Sequence, residues 1–247
     1  MSRVHDIVNP TIMGDEQSMH ALLRELRDEN PIAYCDHPDY EPFWVVTRHE
    51  DIKAISRKNE FGTRNGLETL IHMDDPKHRK LRGVTREWFK PGPVARLTPT
   101  VETIAREFVD RMEALGGECD FVKDVALLYP LRVIMKILGV APEEEPMMLE
   151  LTQELFGGQD PDQTRGKDTQ EGLSVLLDFF SYFKGVVEER RKNPTDDLAS
   201  VLANATVDGA PLEELDLISY FIITATAGHD TTSATTAGGM KALLDTP

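Results

Sequence analysis

Residues 222–232 read Ile-Ile-Thr-Ala-Thr-Ala-Gly-His-Asp-Thr-Thr and lie in the middle of a helical pattern that runs from about residue 212 to residue 244. At 1.5 Å per residue such a helix spans about 50 Å, so we expect it to run through the interior. A mid-helix glycine costs roughly 1 kcal/mol relative to alanine, and Thr and Asp compete for backbone hydrogen bonds. The run therefore indicates either a functional site or a polar helix face that meets solvent, and spacing alone leaves both open.

This run has residue types that proton delivery requires. Small residues at positions 225, 227 and 228 would let a flat, bulky group approach the helix backbone. A threonine hydroxyl that bonds back to a backbone carbonyl would open the helix locally, as functional helix distortions often do. An acid beside an alcohol in a dry interior, as at Asp230 and Thr231, can serve as a proton-delivery pair.

A second candidate site lies on a basic helix predicted over residues 77–89. His78 and Arg82 stand four residues apart and share a helix face, with Arg86 one turn further along. Two such donors form a clamp for an anionic ligand such as a pair of carboxylates. The alternative is an exposed basic helix without a ligand.

The charge of the chain is strongly negative but unevenly distributed. The formal net charge of −16 argues against nucleic acid and anionic membrane surfaces as partners, because both require an excess of Lys and Arg. Between residues 77 and 96 there are nevertheless seven basic residues and one acid, Glu87. The basic residues are Lys77, Arg79, Lys80, Arg82, Arg86, Lys90 and Arg96. This basic segment indicates a local anionic partner or, alternatively, a solvated helix face.

Cysteine and histidine spacing predicts no metal site. Cys35 and Cys119 form no Cys-x-x-Cys pair, and the histidines form no His-Glu-x-x-His pattern. The N-terminus lacks the apolar core of a signal peptide. The longest apolar-leaning stretch, 217–227, is well short of the roughly 20 residues that a membrane span needs. We therefore expect a soluble, cytoplasmic protein.

The remaining pattern predicts a mainly α fold with a small β-sheet. Apolar spacing predicts helices at 15–29, 49–58, 77–89, 94–115, 120–138, 142–156 and 169–192. Short strands are predicted at 32–35 and 43–47, loops at 61–76 and 157–168, and a turn at Asp208-Gly209. In the helix at 49–58, Ile52 and Ile55 are predicted to face inward. In the helix at 169–192 the large apolar residues lie on or near one face, namely Leu173, Leu176, Leu177, Phe180 and Phe183.

At both candidate sites the chain resembles the cytochromes P-450. The run 227–232 resembles the oxygen-activating motif Ala/Gly-Gly-x-Asp/Glu-Thr-Thr in the long central helix of that family. Residues 75–82, followed by Phe89 and Pro91, resemble the helix that carries its His-x-x-x-Arg pair. Residues 43–47 and 138–143 agree as well, in the order typical of the soluble bacterial branch. The resemblance implies the P-450 fold, truncated after the central helix, with residues 1–247 as the N-terminal portion of a single domain.

The resemblance also implies a function and a cofactor. It implies a monooxygenase that uses haem b and dioxygen to hydroxylate a hydrophobic small molecule. Asp230 would relay protons during oxygen activation, and the Thr231 hydroxyl would direct them. Ala227 and Gly228 would let the helix pack against the haem.

Further roles follow from the same resemblance. His78 and Arg82 would bind the haem propionates, and the basic face around 77–96 would dock a ferredoxin or flavodoxin. Ile223 and Thr226 would face the substrate, together with parts of 61–76 and the region around Phe156, and 157–168 would belong to a mobile lid. His229 is interpreted as a variable position that points away from the haem.

The iron ligand is where the chain departs from the family pattern. In that family a C-terminal cysteine thiolate holds the iron. The family's Glu-x-x-Arg helix and glycine-rich cysteine loop, which come after the central helix, are not part of residues 1–247. The chain by itself is therefore expected neither to bind haem with thiolate ligation nor to turn over. A thiolate-type spectrum of its reduced carbonyl complex would contradict this.

The alternative function is a non-catalytic helical fragment or binding module that keeps the scaffold. If the coding sequence continues past Pro247 into a Glu-x-x-Arg helix and a glycine-rich cysteine loop, the enzyme hypothesis holds. A stop codon at that point would favour this alternative.

Overall fold

Helices make up most of the residues that the structure describes, which in this computed structural model are 3–58, 69–156 and 169–246. Two short antiparallel hairpins accompany them. The predicted class, mainly α with a small β component, is confirmed. The predicted loop at 157–168 and residues 61–68 of the loop at 61–76 lie outside the described residues. The chain divides into two units, Met1–Thr63 and Arg64–Pro247.

The first unit joins a 3-10 helix and three α-helices to one hairpin. Its elements are a 3-10 helix (Arg3–Val8), α1 (Pro10–Gly14), α2 (Glu16–Glu29), strands β1 (Ile32–Cys35) and β2 (Phe43–Val46), and α3 (His49–Ser56). Asp15 begins α2 by accepting a hydrogen bond from the backbone N–H of Ser18 at 2.8 Å, which satisfies one of the free donors of a helix start. Its core consists of Val4, Leu22, Leu26, Ala33, Cys35 and Val45.

The hairpin of the first unit keeps one face exposed. Ile32 pairs with Val46 and Cys35 with Phe43, so alternate side chains point away from the core. On the outer face the Trp44 side chain is 64% exposed, and its ring centroid lies 5.0 Å from that of Tyr34. In α3 the inward prediction for Ile52 is wrong, because this side chain is exposed.

Among its described residues the second unit contains 3-10 helices at Leu70–His72 and Pro142–Glu144, a short hairpin and eight α-helices. They are α4 (Lys77–Val84), α5 (Pro91–Ala95), α6 (Thr98–Ala114), α7 (Leu128–Leu138), α8 (Glu145–Phe156), α9 (Thr169–Lys192), α10 (Leu198–Ala203) and α11 (Glu214–Asp245). Strands β3 (Thr206–Val207) and β4 (Ala210–Pro211) pair through the predicted turn at 208–209. Asp208 and Gly209 both have positive φ, at 52° and 81°, which a two-residue hairpin turn requires.

Two predicted helices have different bounds in the structure. The helix predicted over 77–89 ends at Val84, and Pro91 begins a separate helix, α5. Proline suits a first helical turn because its φ is already helical and its missing N–H would have no partner there. The helix predicted over 94–115 is also two helices, since α6 starts afresh at Thr98 with Pro99 in its first turn.

The helix predicted over 120–138 begins with a π-helical segment at Val122–Ala126. Its last turn closes where the N–H of Leu127 donates to the carbonyl of Val122 at 2.9 Å, five residues back. Pro130 follows in the first turn of α7 and has no N–H to donate to the carbonyl four residues before it. Such segments inside helices are rare and frequently lie at functional sites.

The buried face of α9 agrees with the predicted one at Phe183 but not at Leu173 and Leu177. Its buried side chains are Val175, Phe179, Phe183 and Val187, while Leu173 and Leu177 are exposed. Aromatic stacking fixes this orientation of the helix. The ring of Phe183 lies 6.0 Å from that of Phe179 and 5.0 Å from that of Phe221 in α11. These three side chains lie at the centre of the core of the second unit.

The Asp197 carboxylate at the start of α10 lies against Gly139, in the turn after α7. Asp197 accepts hydrogen bonds from the backbone N–H of Ser200 at 2.7 Å and from Nε of Arg190 at 2.7 Å. Arg190 also donates to the Gly139 carbonyl at 2.8 Å. Gly139 has φ of 67°, and a Cβ at this position would overlap the Asp197 carboxylate. This position therefore requires glycine both for its backbone and for space.

Candidate active site

Helix α11 is buried mainly in its first half. The polar run at 227–232 contains both buried and exposed positions. Over 217–233 its buried residues are Leu217, Ile218, Ser219, Tyr220, Phe221, Ile222, Ala225, Thr226, His229 and Ser233. From residue 234 to residue 246 the side chains are exposed or half-buried. The prediction of an interior helix is therefore correct for the first half and wrong for the second.

Ala227, Asp230 and Thr231 lie on the exposed face of α11. The Thr231 hydroxyl donates to the Ala227 carbonyl at 2.7 Å. This is the back-bonding that the sequence analysis anticipated, although the helix continues without a break from Glu214 to Asp245. The Asp230 carboxylate has no hydrogen-bond or ion-pair partner among the described residues. An available acid and an oriented hydroxyl are thus neighbours on one face.

Gly228 faces a neighbouring helix. A Cβ at this position would lie 2.9 Å from Cδ1 and 3.1 Å from Cγ1 of Ile134 in α7. The missing side chain therefore permits close packing of α7 on α11, a reason that the sequence analysis did not include.

His78 and Arg82 occupy one side of α4, as their spacing predicted. Nδ1 of the half-buried His78 lies 3.8 Å from Oδ1 of Asp75. Arg82 is exposed and has no ion-pair partner in the described part of the chain. An imidazole and a guanidinium one turn apart remain available to an anionic group.

Two contacts fasten α4 and the turn after it to the start of α11. Nζ of Lys77 lies 2.8 Å from Oδ1 of Asp216. The hydroxyls of Thr85 and Tyr220 are 2.6 Å apart and both side chains are buried. Burial raises the pKa of Tyr220, while the Thr85 hydrogen bond and the Arg82 charge oppose that shift. Both candidate sites consequently lie in the second unit, with Tyr220 and Asp230 about 15 Å apart along the α11 axis.

Sequence reasoning missed Thr85, Asp216 and Tyr220. The available signal was the position of Asp216 and Tyr220 one turn apart in a helix start, but nothing in the sequence indicates their partners.

The basic segment 77–96 is partly neutralised in the folded chain. The ion pairs are Lys77–Asp216, Arg79–Asp75, Lys80–Asp208 and Lys90–Glu87. Three of these acids lie outside the segment, so counting charges within it overstated its net charge. Arg82, Arg86 and Arg96 form no ion pair within the ranges that the structure describes.

The two residues predicted to face a substrate differ in exposure. Ile223 is half-buried. Thr226 is 1% exposed, and its hydroxyl donates to the Ile222 carbonyl at 2.8 Å. Thr226 therefore points into the protein core, away from the exposed face that carries Asp230 and Thr231. No side-chain position is described for Phe156.

The described residues fit part of a haem site. His78 and Arg82 supply donors that suit carboxylates, and the exposed face of α11 carries the small residues Ala227, Ala234 and Gly238, which leave room for a planar ring. Cys35 is buried in the first unit, and Cys119 is an exposed residue before the π segment. Within 3–58, 69–156 and 169–246 no group of three or more His, Cys, Asp or Glu side chains is arranged to hold a metal. The same ranges contain no helix with the length and apolar character that crossing a membrane requires.

Known proteins similar to this chain are cytochromes P-450, although no family profile matches it. Cytochrome P-450-terp from Pseudomonas sp is 33% identical over 98% of this chain and 64% of its own length. The steroid C26-monooxygenase of Mycolicibacterium smegmatis is 29% identical over 91% of this chain and 57% of its own. The crystal structure of CYP108D1 from Novosphingobium aromaticivorans is 42% identical, with a TM-score of 0.75 over 87% of this chain and 58% of that one.

The chain thus spans about three fifths of the length of these relatives. Because the likeness extends over nearly all of its own residues in both sequence and fold, the chain belongs to the cytochrome P-450 family.

Proposed function

We propose that the full-length product of the gene encoding this chain is a haem-dependent monooxygenase that hydroxylates a hydrophobic small molecule. Residues 1–247 would form the N-terminal portion of its single P-450 domain. The observation that carries the proposal is the exposed pair on α11, an unpartnered Asp230 carboxylate beside a Thr231 hydroxyl oriented by the Ala227 carbonyl. The steroid C26-monooxygenase among the relatives supports a hydrophobic substrate.

In this proposal each residue has a defined task. When bound, haem supplies the redox chemistry that activates dioxygen. Asp230, which solvent can reach, takes up protons and passes them on. The Thr231 hydroxyl, held at 2.7 Å from the Ala227 carbonyl, receives and directs them. His78 and Arg82 would bind the propionates, and the small side chain of Ala227 would leave room for the ring beside the helix.

The electron donor is proposed to be a ferredoxin or flavodoxin at the basic face 77–96. The support is the set of arginines at 82, 86 and 96, which have no ion-pair partners in the described ranges, in a chain of net charge −16. If Arg82 is occupied by a propionate, Arg86 and Arg96 remain for the acidic partner. Such charges mainly accelerate encounter with the partner.

The test is Thr231→Ala in the haem-loaded, full-length protein. Without the hydroxyl, protons are no longer directed, so we expect NADH or NADPH consumption to continue while product falls and hydrogen peroxide rises. Thr231→Ser restores the hydroxyl and should restore coupling. Unchanged coupling in the alanine variant would contradict the role of Thr231. A full-length protein that binds no haem would favour the non-catalytic alternative.

Propionate binding is tested by replacing Arg82 with Gln. The matched control is Arg79→Gln, because Arg79 is one turn of sequence away, its side chain is 82% exposed, and it pairs only with Asp75. We expect haem to transfer faster from the Arg82 variant to an excess of an acceptor globin, and at the original rate from the Arg79 variant. An altered substrate preference with full haem occupancy would count against the clamp.

A further inference from the structure

His229 is a fully buried titratable group that the proposed mechanism does not use. It lies between Gly228 and Asp230, is 1% exposed, and its Nε2 lies 2.8 Å from the carbonyl oxygen of Leu127. A carbonyl only accepts hydrogen bonds, so Nε2 must carry the hydrogen. Burial lowers the pKa of His229, opposed by this hydrogen bond and by the Asp230 charge. The ring is therefore neutral near pH 7, with its hydrogen on Nε2.

The other ring nitrogen has no partner among the residues that the structure describes. Nδ1 of His229 is inaccessible to solvent and forms no hydrogen bond with any described residue. A buried polar atom without a partner costs roughly 1–3 kcal/mol, a cost that a leucine or phenylalanine in the same space would avoid. Filling volume is thus an insufficient reason for histidine here, and the bond to Leu127 is what an apolar residue could not provide.

The residue that accepts this hydrogen bond, Leu127, lies where two helical segments meet. It is the junction between the π segment Val122–Ala126 and helix α7. About two turns further along, α7 contacts α11 where Ile134 packs against the backbone of Gly228. A contact between a methyl group and bare backbone is not directional, so it does little to fix how far α11 is rotated about its axis. The hydrogen bond to Leu127 is directional and therefore constrains that angle.

We propose that His229 is a positioning residue, whose Nε2–H···O=C bond to Leu127 sets the rotation of α11 and thereby holds Asp230 and Thr231 on the exposed face. Successive helix residues are about 100° apart, so any rotation at residue 229 is passed to 230 and 231. A rotation of roughly 20° would displace a carboxylate by about 2 Å, and misplacement of about 1 Å can cost a hundredfold in rate. The effect on Asp230 and Thr231 rests on the proposed monooxygenase function.

The first experiment uses this chain without haem and is independent of that function. Nitrogen-15 NMR of labelled histidine should show His229 as the neutral tautomer protonated at Nε2. Hydrogen exchange at amides 122–138 should accelerate in His229→Leu, which fills the space without a donor, and less in His229→Gln, whose amide can still donate to Leu127. If the hydrogen is found on Nδ1, or if hydrogen exchange is equally fast in the two variants, the proposed role of the hydrogen bond from His229 to Leu127 is wrong.

The second experiment uses the haem-loaded, full-length protein. If His229 positions the pair, His229→Leu should release several-fold more hydrogen peroxide per turnover than wild type, and His229→Gln should restore most of the coupling. A merely structural role would change the melting temperature without changing coupling, and that result would contradict the proposal. If Thr231→Ala leaves coupling unchanged while NMR confirms the tautomer protonated at Nε2, the proposed function is refuted. The hydrogen bond from His229 to Leu127 is still supported in that case.

Discussion

Gly228 shows at the scale of one residue how a motif can serve packing and chemistry together. Its neighbour Ala227 is exposed, whereas a side chain at 228 would meet Ile134. Sequence reasoning identified both as small residues beside the polar pair, but it could not assign their directions, because the facing residue lies 94 positions earlier in the chain.

This geometry predicts opposite effects of two glycine substitutions in the chain. Gly239→Ala should stabilise the fold by roughly 0.5–1 kcal/mol, because nothing lies within 4 Å of the new methyl group and alanine favours a helix. Gly228→Ala should lose this gain or destabilise the fold, since overpacking costs about 1–3 kcal/mol. Urea unfolding measures both. Ile134→Val removes the atom nearest the new methyl group and should rescue Gly228→Ala.

An equal gain from both glycine variants would contradict the packing role of Gly228. A deficit of Gly228→Ala that Ile134→Val leaves unchanged would show that another contact causes it.

Predictability differed among the residues of the candidate site. Asp230, Thr231, His78 and Arg82 were identified because each lies in a motif with fixed spacing. Tyr220 and His229 act through partners that are 135 and 102 residues away, and one sequence contains no record of such pairs. The burial of Thr226 could not be foreseen, because a helix that is apolar on every side does not reveal which face meets the core.

At the scale of elements, the positions of most helices followed from apolar spacing, and their ends did not. Which face of α9 is buried depends on the stacking of Phe183 on Phe221, a tertiary contact that the sequence does not reveal. The π segment at Val122–Ala126 was not predicted. Over so short a range, a helix whose hydrogen bonds join residues five apart has the same apolar spacing as an ordinary α-helix. The hairpin at 206–211 is built on a turn that Asp208 and Gly209 made predictable.

The contact between the α4 region and α11 predicts a strong coupling between two hydroxyls. Tyr220→Phe leaves the buried Thr85 hydroxyl without a partner and should destabilise the chain by about 1–3 kcal/mol. The double variant Thr85→Val with Tyr220→Phe removes both groups and should be less destabilised than the sum of the single changes. Urea unfolding of all four proteins gives the coupling energy. Strict additivity would show that the two hydroxyls do not interact.

The second contact between the same elements should contribute less. In the Lys77–Asp216 pair the lysine side chain is 44% exposed, and exposed ion pairs contribute about 0–1 kcal/mol. The buried hydroxyl pair therefore dominates the attachment of the α4 region to α11.

At the scale of the whole molecule, acid should weaken the fold through Asp197. Burial raises the pKa of this carboxyl, but hydrogen bonds from Thr195, Ser200 and Arg190 outweigh it, so the pKa lies below 3.8. The unfolded chain then takes up this proton at a higher pH than the folded chain. The stabilisation is complete above the unfolded value and is lost as pH falls through the folded value.

Asp197→Asn tests this pH dependence. At pH 7 we expect the variant to be less stable than wild type by about 1.5–3 kcal/mol, because a charged acceptor of hydrogen bonds is lost. The difference should shrink as pH falls below 3.8. Asp196→Asn is the matched control, since Asp196 is adjacent and exposed. A difference that stays constant down to pH 3 would contradict the assignment.

The chain has two tryptophans, and each belongs to a different unit. Trp44 is exposed on the outer face of the first hairpin, whereas Trp88 is half-buried after α4, with its ring 5.2 Å from that of Phe89. Trp44→Phe and Trp88→Phe would therefore give two single-tryptophan proteins, whose tryptophan can be excited selectively. The protein that keeps Trp44 reports unfolding of residues 1–63 by emission intensity, and the one that keeps Trp88 reports local changes near the basic segment. Together they can reveal whether the two units melt in one step or in two.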